Sequence, residues 1–72
     1  SAYTRGEIYL LFKFNTDDPE KMEITVGKCR VRQADQDQWQ DYTTGAFFDV
    51  PGKSSFEIAV DEGILEYICS FE

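Results

Sequence analysis

Histidine is missing from this chain altogether. That removes the side chain best suited to proton transfer near neutral pH, and with it the commonest metal ligand. Only two cysteines are present, Cys29 and Cys69, too few for a disulfide-dense secreted scaffold and unable to complete a zinc site alone. Prolines number two, and there is no low-complexity tract, linker or internal repeat. Bases are outnumbered 7 to 14 by acids, which argues against a basic nucleic-acid-binding domain. Long apolar runs are also lacking. The longest, Ile8-Tyr9-Leu10-Leu11-Phe12, falls far short of the roughly 20 residues of a membrane helix. The first residues lack the apolar stretch of a signal peptide, so the expectation is a soluble chain with no signal or transmembrane segment of its own and no assigned compartment.

What remains is 72 residues, 42% hydrophobic and 15% aromatic, enough for a core and for one small β domain spanning 1–72. A chain of this length buries only about 60% of its unfolded surface. The two cysteines read as reduced core thiols, with a bridge open only if their strands meet.

Period-two alternation dominates. Glu7 to Phe14 is the first strand: Ile8, Leu10, Phe12 and Phe14 share one face, Tyr9 and Leu11 the other. Apolar residues on both faces suggest a central strand, or one that meets a partner. Met22 to Arg32 is the second. Its phase changes between Ile24/Val26 and Cys29/Val31, which predicts a β-bulge at Gly27. Ala46 to Val50 is the third strand, and Pro51-Gly52 suits the centre of a type II turn. Ser55 to Val60 is the fourth. Asp61-Glu62-Gly63 reads as a hairpin turn into the fifth, Ile64 to Phe71. The expected fold is all-β: five mostly antiparallel strands in a small barrel or compact sandwich, with one longer irregular loop at 33–45. No family signature stands out.

Three groupings could carry function. Trp39 and Tyr42 lie in the polar segment Gln33–Gly45, where large aromatics suit a contact surface, and Phe47 would extend it. Glu57, Asp61 and Glu66 face outward on the last two strands. Residues 33–72 hold nine acids against the single base Lys53, whereas residues 1–32 hold five acids and six bases. Lys28, Arg30 and Arg32 alternate on one strand and so share a face, open to an anion or to ion pairs with cross-strand acids. Asp35, Asp37 and Asp41 begin like a calcium loop but lack its glycine and its final glutamate. No metal and no cofactor are expected.

With no general base beside any serine, and with Cys29 facing the core although Lys28 and Arg30 flank it, these features suggest a non-catalytic acidic interaction module, an inhibitor or assembly subunit. It would bind a protein partner, basic where the acidic face is used, through Trp39, Tyr42, Phe47, Glu57, Asp61 and Glu66. A carbohydrate-type accessory domain is the alternative, and nucleic acid comes last. Self-association is expected from the two-faced first strand.

Overall fold

A computed structural model of the chain describes residues 3–71. It is all-β and antiparallel, as the alternation predicts, and no described residue is helical. Six strands follow in order: β1 (Tyr3–Asn15), β2 (Glu20–Val26), β3 (Lys28–Gln33), β4 (Gln40–Thr43), β5 (Phe47–Val50) and β6 (Ser55–Phe71). One sheet runs β4-β3-β6-β2-β5, and β1 pairs with the remaining side of β6. The sheet curls about its own apolar face into an open half-barrel rather than closing.

β6 is the spine. Its first half pairs with β3 (Arg30↔Ala59, Arg32↔Glu57) and its second half with β2 (Lys21↔Ser70, Ile24↔Tyr67). β1 follows both halves, from Tyr3↔Ser70 to Asn15↔Ser55. The expected hairpin at Asp61–Gly63 is therefore absent. The chain continues through it as one strand, because β1 pairs on both sides. The excess residues between Val60 and Leu65 bulge opposite Tyr9 alone, with Gly63 at φ 75° and Leu10 at φ 60°. Extra residues on one strand bend the sheet, and this is where it curls.

Gly27 breaks the strand rather than bulging it, and the irregular register of β2 falls between Ile24 and Val26. At φ 104° Gly27 separates β2 from β3, so the expected single strand from Met22 to Arg32 is two. The phase change read from the sequence is real, with Met22 and Ile24 inward before it and Cys29 and Val31 after it, but Val26, expected inward with Ile24, is exposed because the register shifts between them. The segment expected to be a loop at 33–45 contains β4, which pairs with β3 from Lys28↔Thr43 to Val31↔Gln40. Past Pro51, the residue with positive φ is Lys53 (52°) and not Gly52. Gly52 is needed for closeness instead. A Cβ there would sit 2.8 Å from the Asp17 carbonyl oxygen. Buried Thr16 locks this corner. Its hydroxyl donates to the Pro51 carbonyl at 2.7 Å and accepts from the Ser54 N–H at 2.9 Å.

The core forms on the concave face from Ile8, Met22, Ile24, Val31, Val50, Ile58 and Leu65, with an aromatic chain through it. Phe14 stacks on Phe56 at 5.0 Å, and Phe56 meets Phe48 edge-on at 5.6 Å. Cys29 and Cys69 are both buried and free. The Cys69 thiol donates to Glu20 Oε1 at 2.6 Å.

Candidate functional site

The outer face of β3 carries a cluster of charge that includes two ion pairs. Strand parity sends Cys29 and Val31 into the core and Lys28, Arg30 and Arg32 outward. The register with β6 puts Glu57 directly across from Arg32, and Arg32 Nη2 donates to Glu57 Oε1 at 2.7 Å. Arg30 lies across from Ala59, so it reaches diagonally to Asp61. There it makes a two-point pair, Nη2 to Oδ1 at 2.8 Å and Nε to Oδ2 at 3.1 Å. On its other side β4 sets Asp41 opposite Arg30.

Trp39 completes the cluster. It immediately precedes β4 and shares the parity of Asp41, so it faces the same way. A turn closed by the Gln36 N–H on the Gln33 carbonyl (3.0 Å) folds the connection back. The half-buried indole ends 4.9 Å from the Arg32 guanidinium and 5.4 Å from that of Arg30. Both arginines are thus held between an aromatic face and a carboxylate, which fixes long side chains that would otherwise be mobile. These pairs are exposed enough to exchange partners: Arg30 and Asp61 side chains retain 41% and 63% of their accessibility. Two clefts flank the ridge. One of about 360 Å³ is lined by Lys28, Cys29, Arg30, Asp41, Tyr42, Thr43 and Asp61. Another of about 440 Å³ is lined by Arg32, Gln33, Asp37 and Glu57.

The structure therefore gathers Trp39, Arg30, Arg32, Glu57 and Asp61 on one surface, with Lys28 at its margin. It does not gather the rest. Tyr42 turns to the concave side, where its ring packs 4.8 Å from Phe48 and its hydroxyl bonds Gln40 Oε1 at 3.0 Å. Burial, then the nearby Cys29, raises its pKa. Phe47 is exposed, but on β5 at the far edge of the sheet, beside Lys21 Nζ at 5.0 Å. Glu66 lies beyond the bend of β6, opposite Glu7. The expected continuous acidic face and three-residue aromatic patch are accordingly not formed, because β6 bends at Gly63 and β4 inverts Tyr42 relative to Trp39. Asp41 was missed as a site residue, although its two-residue spacing from Trp39 was the signal.

The buried thiols are poor nucleophiles. Burial, with the Asp41 charge adding to it, pushes Cys29 up to about 11. Burial and the bond to Glu20 push Cys69 up to about 12. No helix is long and apolar enough to cross a membrane among the described residues.

Comparison with known proteins names the family. A pyrimidine/purine nucleoside phosphorylase of Cupriavidus metallidurans is 57% identical over 58 residues, 81% of this chain and 55% of its own length. One of Methylobacillus flagellatus is 45% identical over 73 residues, 96% of this chain and 70% of its own length. The chain spans about half the length of the first of these relatives. Among solved structures, a protein of unknown function from Acinetobacter sp. ADP1 superposes with a TM-score of 0.91 at 41% identity, covering 97% of this chain and 69% of that one. A cupin-2 domain protein from Shewanella frigidimarina superposes at 0.75 with 14% identity, over 97% of this chain and 69% of that one, a likeness of fold alone. The expectation of a non-catalytic inhibitor or assembly module is overturned by these relatives, which are named as enzymes. The family's sequence profile, described as pyrimidine/purine nucleoside phosphorylase, matches residues 9–71, and the chain belongs to that family.

Proposed function

We propose that the chain takes part in phosphorolysis of nucleosides, in the manner its relatives' names describe, and that the outer face of β3 is where it meets the reactants. In such a reaction a phosphate oxygen bonds to the sugar carbon bearing the base. The carbon–nitrogen bond breaks, and the base leaves with the electron pair and takes up a proton. Phosphate itself is the nucleophile. The protein needs no activated serine, cysteine or histidine for the attack, so the missing histidine is no obstacle.

The observation that supports the site is the pair of arginines held under one tryptophan with carboxylates alongside. A phosphate dianion needs cationic donors in a fixed fork. Arg32 uses one nitrogen on Glu57, leaving other donors free. A nucleobase needs an aromatic face, which Trp39 provides. Ribose hydroxyls need acceptors, which Asp41 and Asp61 supply at the wall of the 360 Å³ cleft. That volume lies within the range of small-molecule pockets, about 300–1,000 Å³. Charge building on the sugar carbon during bond cleavage is stabilised by those same carboxylates.

The test is steady-state phosphorolysis with a purine and a pyrimidine nucleoside, read as free base released. Arg32→Ala is expected to lower kcat/KM at least tenfold with the loss concentrated in the KM for phosphate, equivalent to about 1.5–3 kcal/mol for a charged hydrogen bond. Trp39→Ala is expected to raise the nucleoside KM instead. If both variants retain full activity while the parent is active, the site lies elsewhere.

A further inference from the structure

Glu57 sits between two cations and pairs with only one of them. β1 sets Lys13 directly opposite Glu57 in a stretch of unbroken register, and β3 sets Arg32 opposite it on the other side. Lys13, Glu57 and Arg32 therefore form one row across three neighbouring strands and share the outer face. All three line the 440 Å³ cleft. Arg32 holds the carboxylate through Nη2 at 2.7 Å. Lys13 is exposed and makes no ion pair among the described residues. Phosphate on Arg32 brings a conflict to this row. The dianion comes to lie beside the Glu57 carboxylate, and Asp37 lines the same cleft. Like charges held so close repel.

We propose that Glu57 changes partner. When phosphate reaches Arg32, the carboxylate leaves that guanidinium and pairs with Lys13. Lys13 is thus a positioning residue for phosphate binding, acting through Glu57 without touching the anion. The inference rests on the β3 face being the phosphate site. Three observations support the exchange. The side chains of Arg32 and Glu57 keep 39% and 30% of their accessibility, so parting them leaves neither charge stranded in the core. Arg32 grips Glu57 by one hydrogen bond, whereas Arg30 grips Asp61 by two, so the Arg32 pair is the one that yields. Lys13 offers a compact charge on a flexible stem, which suits a partner that is engaged only part of the time. With Glu57 drawn to Lys13, the whole Arg32 fork, steadied by the Trp39 ring at 4.9 Å, is open to a two-point grip on phosphate.

The test is a double-mutant cycle read as the Kd for inorganic phosphate by isothermal titration calorimetry. Salt at about 0.15 M screens charges more than about 8 Å apart, which removes the long-range field of Lys13 from the comparison. Lys13→Met is expected to weaken phosphate binding about fivefold, the scale of one exposed ion pair, and Lys13→Arg to bind as the parent does. Glu57→Gln removes the repulsion and is expected to tighten binding. In that background Lys13→Met is expected to have no effect, since there is no carboxylate left to receive. A Lys13→Met loss that persists at full size beside Glu57→Gln overturns the exchange, because Lys13 then meets phosphate directly. So does a Lys13→Met protein that binds as the parent, or a Glu57→Gln protein that binds more weakly. Arg32→Ala separates this failure from failure of the site. If it loses phosphate while Lys13→Met does not, the site stands and the exchange falls. A parent that does not bind phosphate, or an Arg32→Ala protein that binds it as well as the parent, removes the site and the exchange together.

Discussion

Replacing Gly27 by alanine tests whether the break between β2 and β3 is required. Two costs combine there. At φ 104° an L residue is outside its ordinary regions, which costs of order 1–3 kcal/mol. A Cβ would also lie 2.9 Å from the Ile64 carbonyl oxygen, a backbone atom of β6 that cannot move without disturbing the spine. Relieving such a contact adds roughly 1–2 kcal/mol. Gly45 is the built-in control. Its φ is 91°, yet nothing lies within 4 Å of the Cβ position, so Gly45→Ala carries the conformational cost alone. Gly27→Ala is expected to lose about 2–5 kcal/mol, from a total of about 4–11 kcal/mol for a chain of this size. Gly45→Ala should lose about half as much. Urea unfolding followed by far-UV circular dichroism measures both. Equal losses would refute the reasoning, since the Ile64 contact would then contribute nothing.

Phe56 lies 1% exposed at the centre of the aromatic chain, so Phe56→Ala should cost about 3–5 kcal/mol, read as a fall in the urea midpoint. Both thiols should resist a thiol-specific disulfide reagent at pH 8 and react fully once unfolded. Stability should also fall as pH rises from about 9 toward 11. The folded thiols titrate higher than unfolded ones, so the unfolded chain loses its protons first, and the slope is up to about 1.4 kcal/mol per pH unit for each thiol. Urea midpoints at pH 8 and pH 10 check this, and serine substitution at Cys29 and Cys69 should flatten the difference. A double-mutant cycle on Arg30 and Asp61 should give no more than about 1 kcal/mol of coupling, because the pair is exposed.

Alternation located most of the core. Phe56, Ile58, Val60, Leu65 and Cys69 alternate along β6 and all are buried, but Phe71, of the same parity as Cys69, is exposed and Ala59, of the opposite parity to Ile58, is buried. Punctuation was misread where tertiary pairing overrides it. Asp61-Glu62-Gly63 has turn chemistry, but β1 pairs with both flanking segments and keeps them in one bent strand. β4 was hidden because an edge strand of four residues presents only one inward side chain, Tyr42, amid polar neighbours. Alternation puts Leu10 and Phe12 on one face with buried Ile8, but the bulge at Tyr9 and the open edge leave them exposed.

The site was half legible. The stripe of Lys28, Arg30 and Arg32 followed from parity, whereas the placement of Trp39 over it depends on a turn that spacing does not dictate. The family was not legible because arginine, carboxylate and tryptophan in an acidic small domain are also the makings of an ordinary surface. The reaction proposed for the chain brings its nucleophile in as phosphate and would leave no nucleophile motif to find.

The central claim is that Arg30 and Arg32, held beneath Trp39, bind the attacking phosphate. The most direct measurement is the KM for inorganic phosphate during nucleoside phosphorolysis, compared between the parent and Arg32→Ala. The account predicts a rise of at least tenfold with the nucleoside KM little changed and the fold intact by circular dichroism. An unchanged phosphate KM in an active, folded Arg32→Ala protein would contradict it.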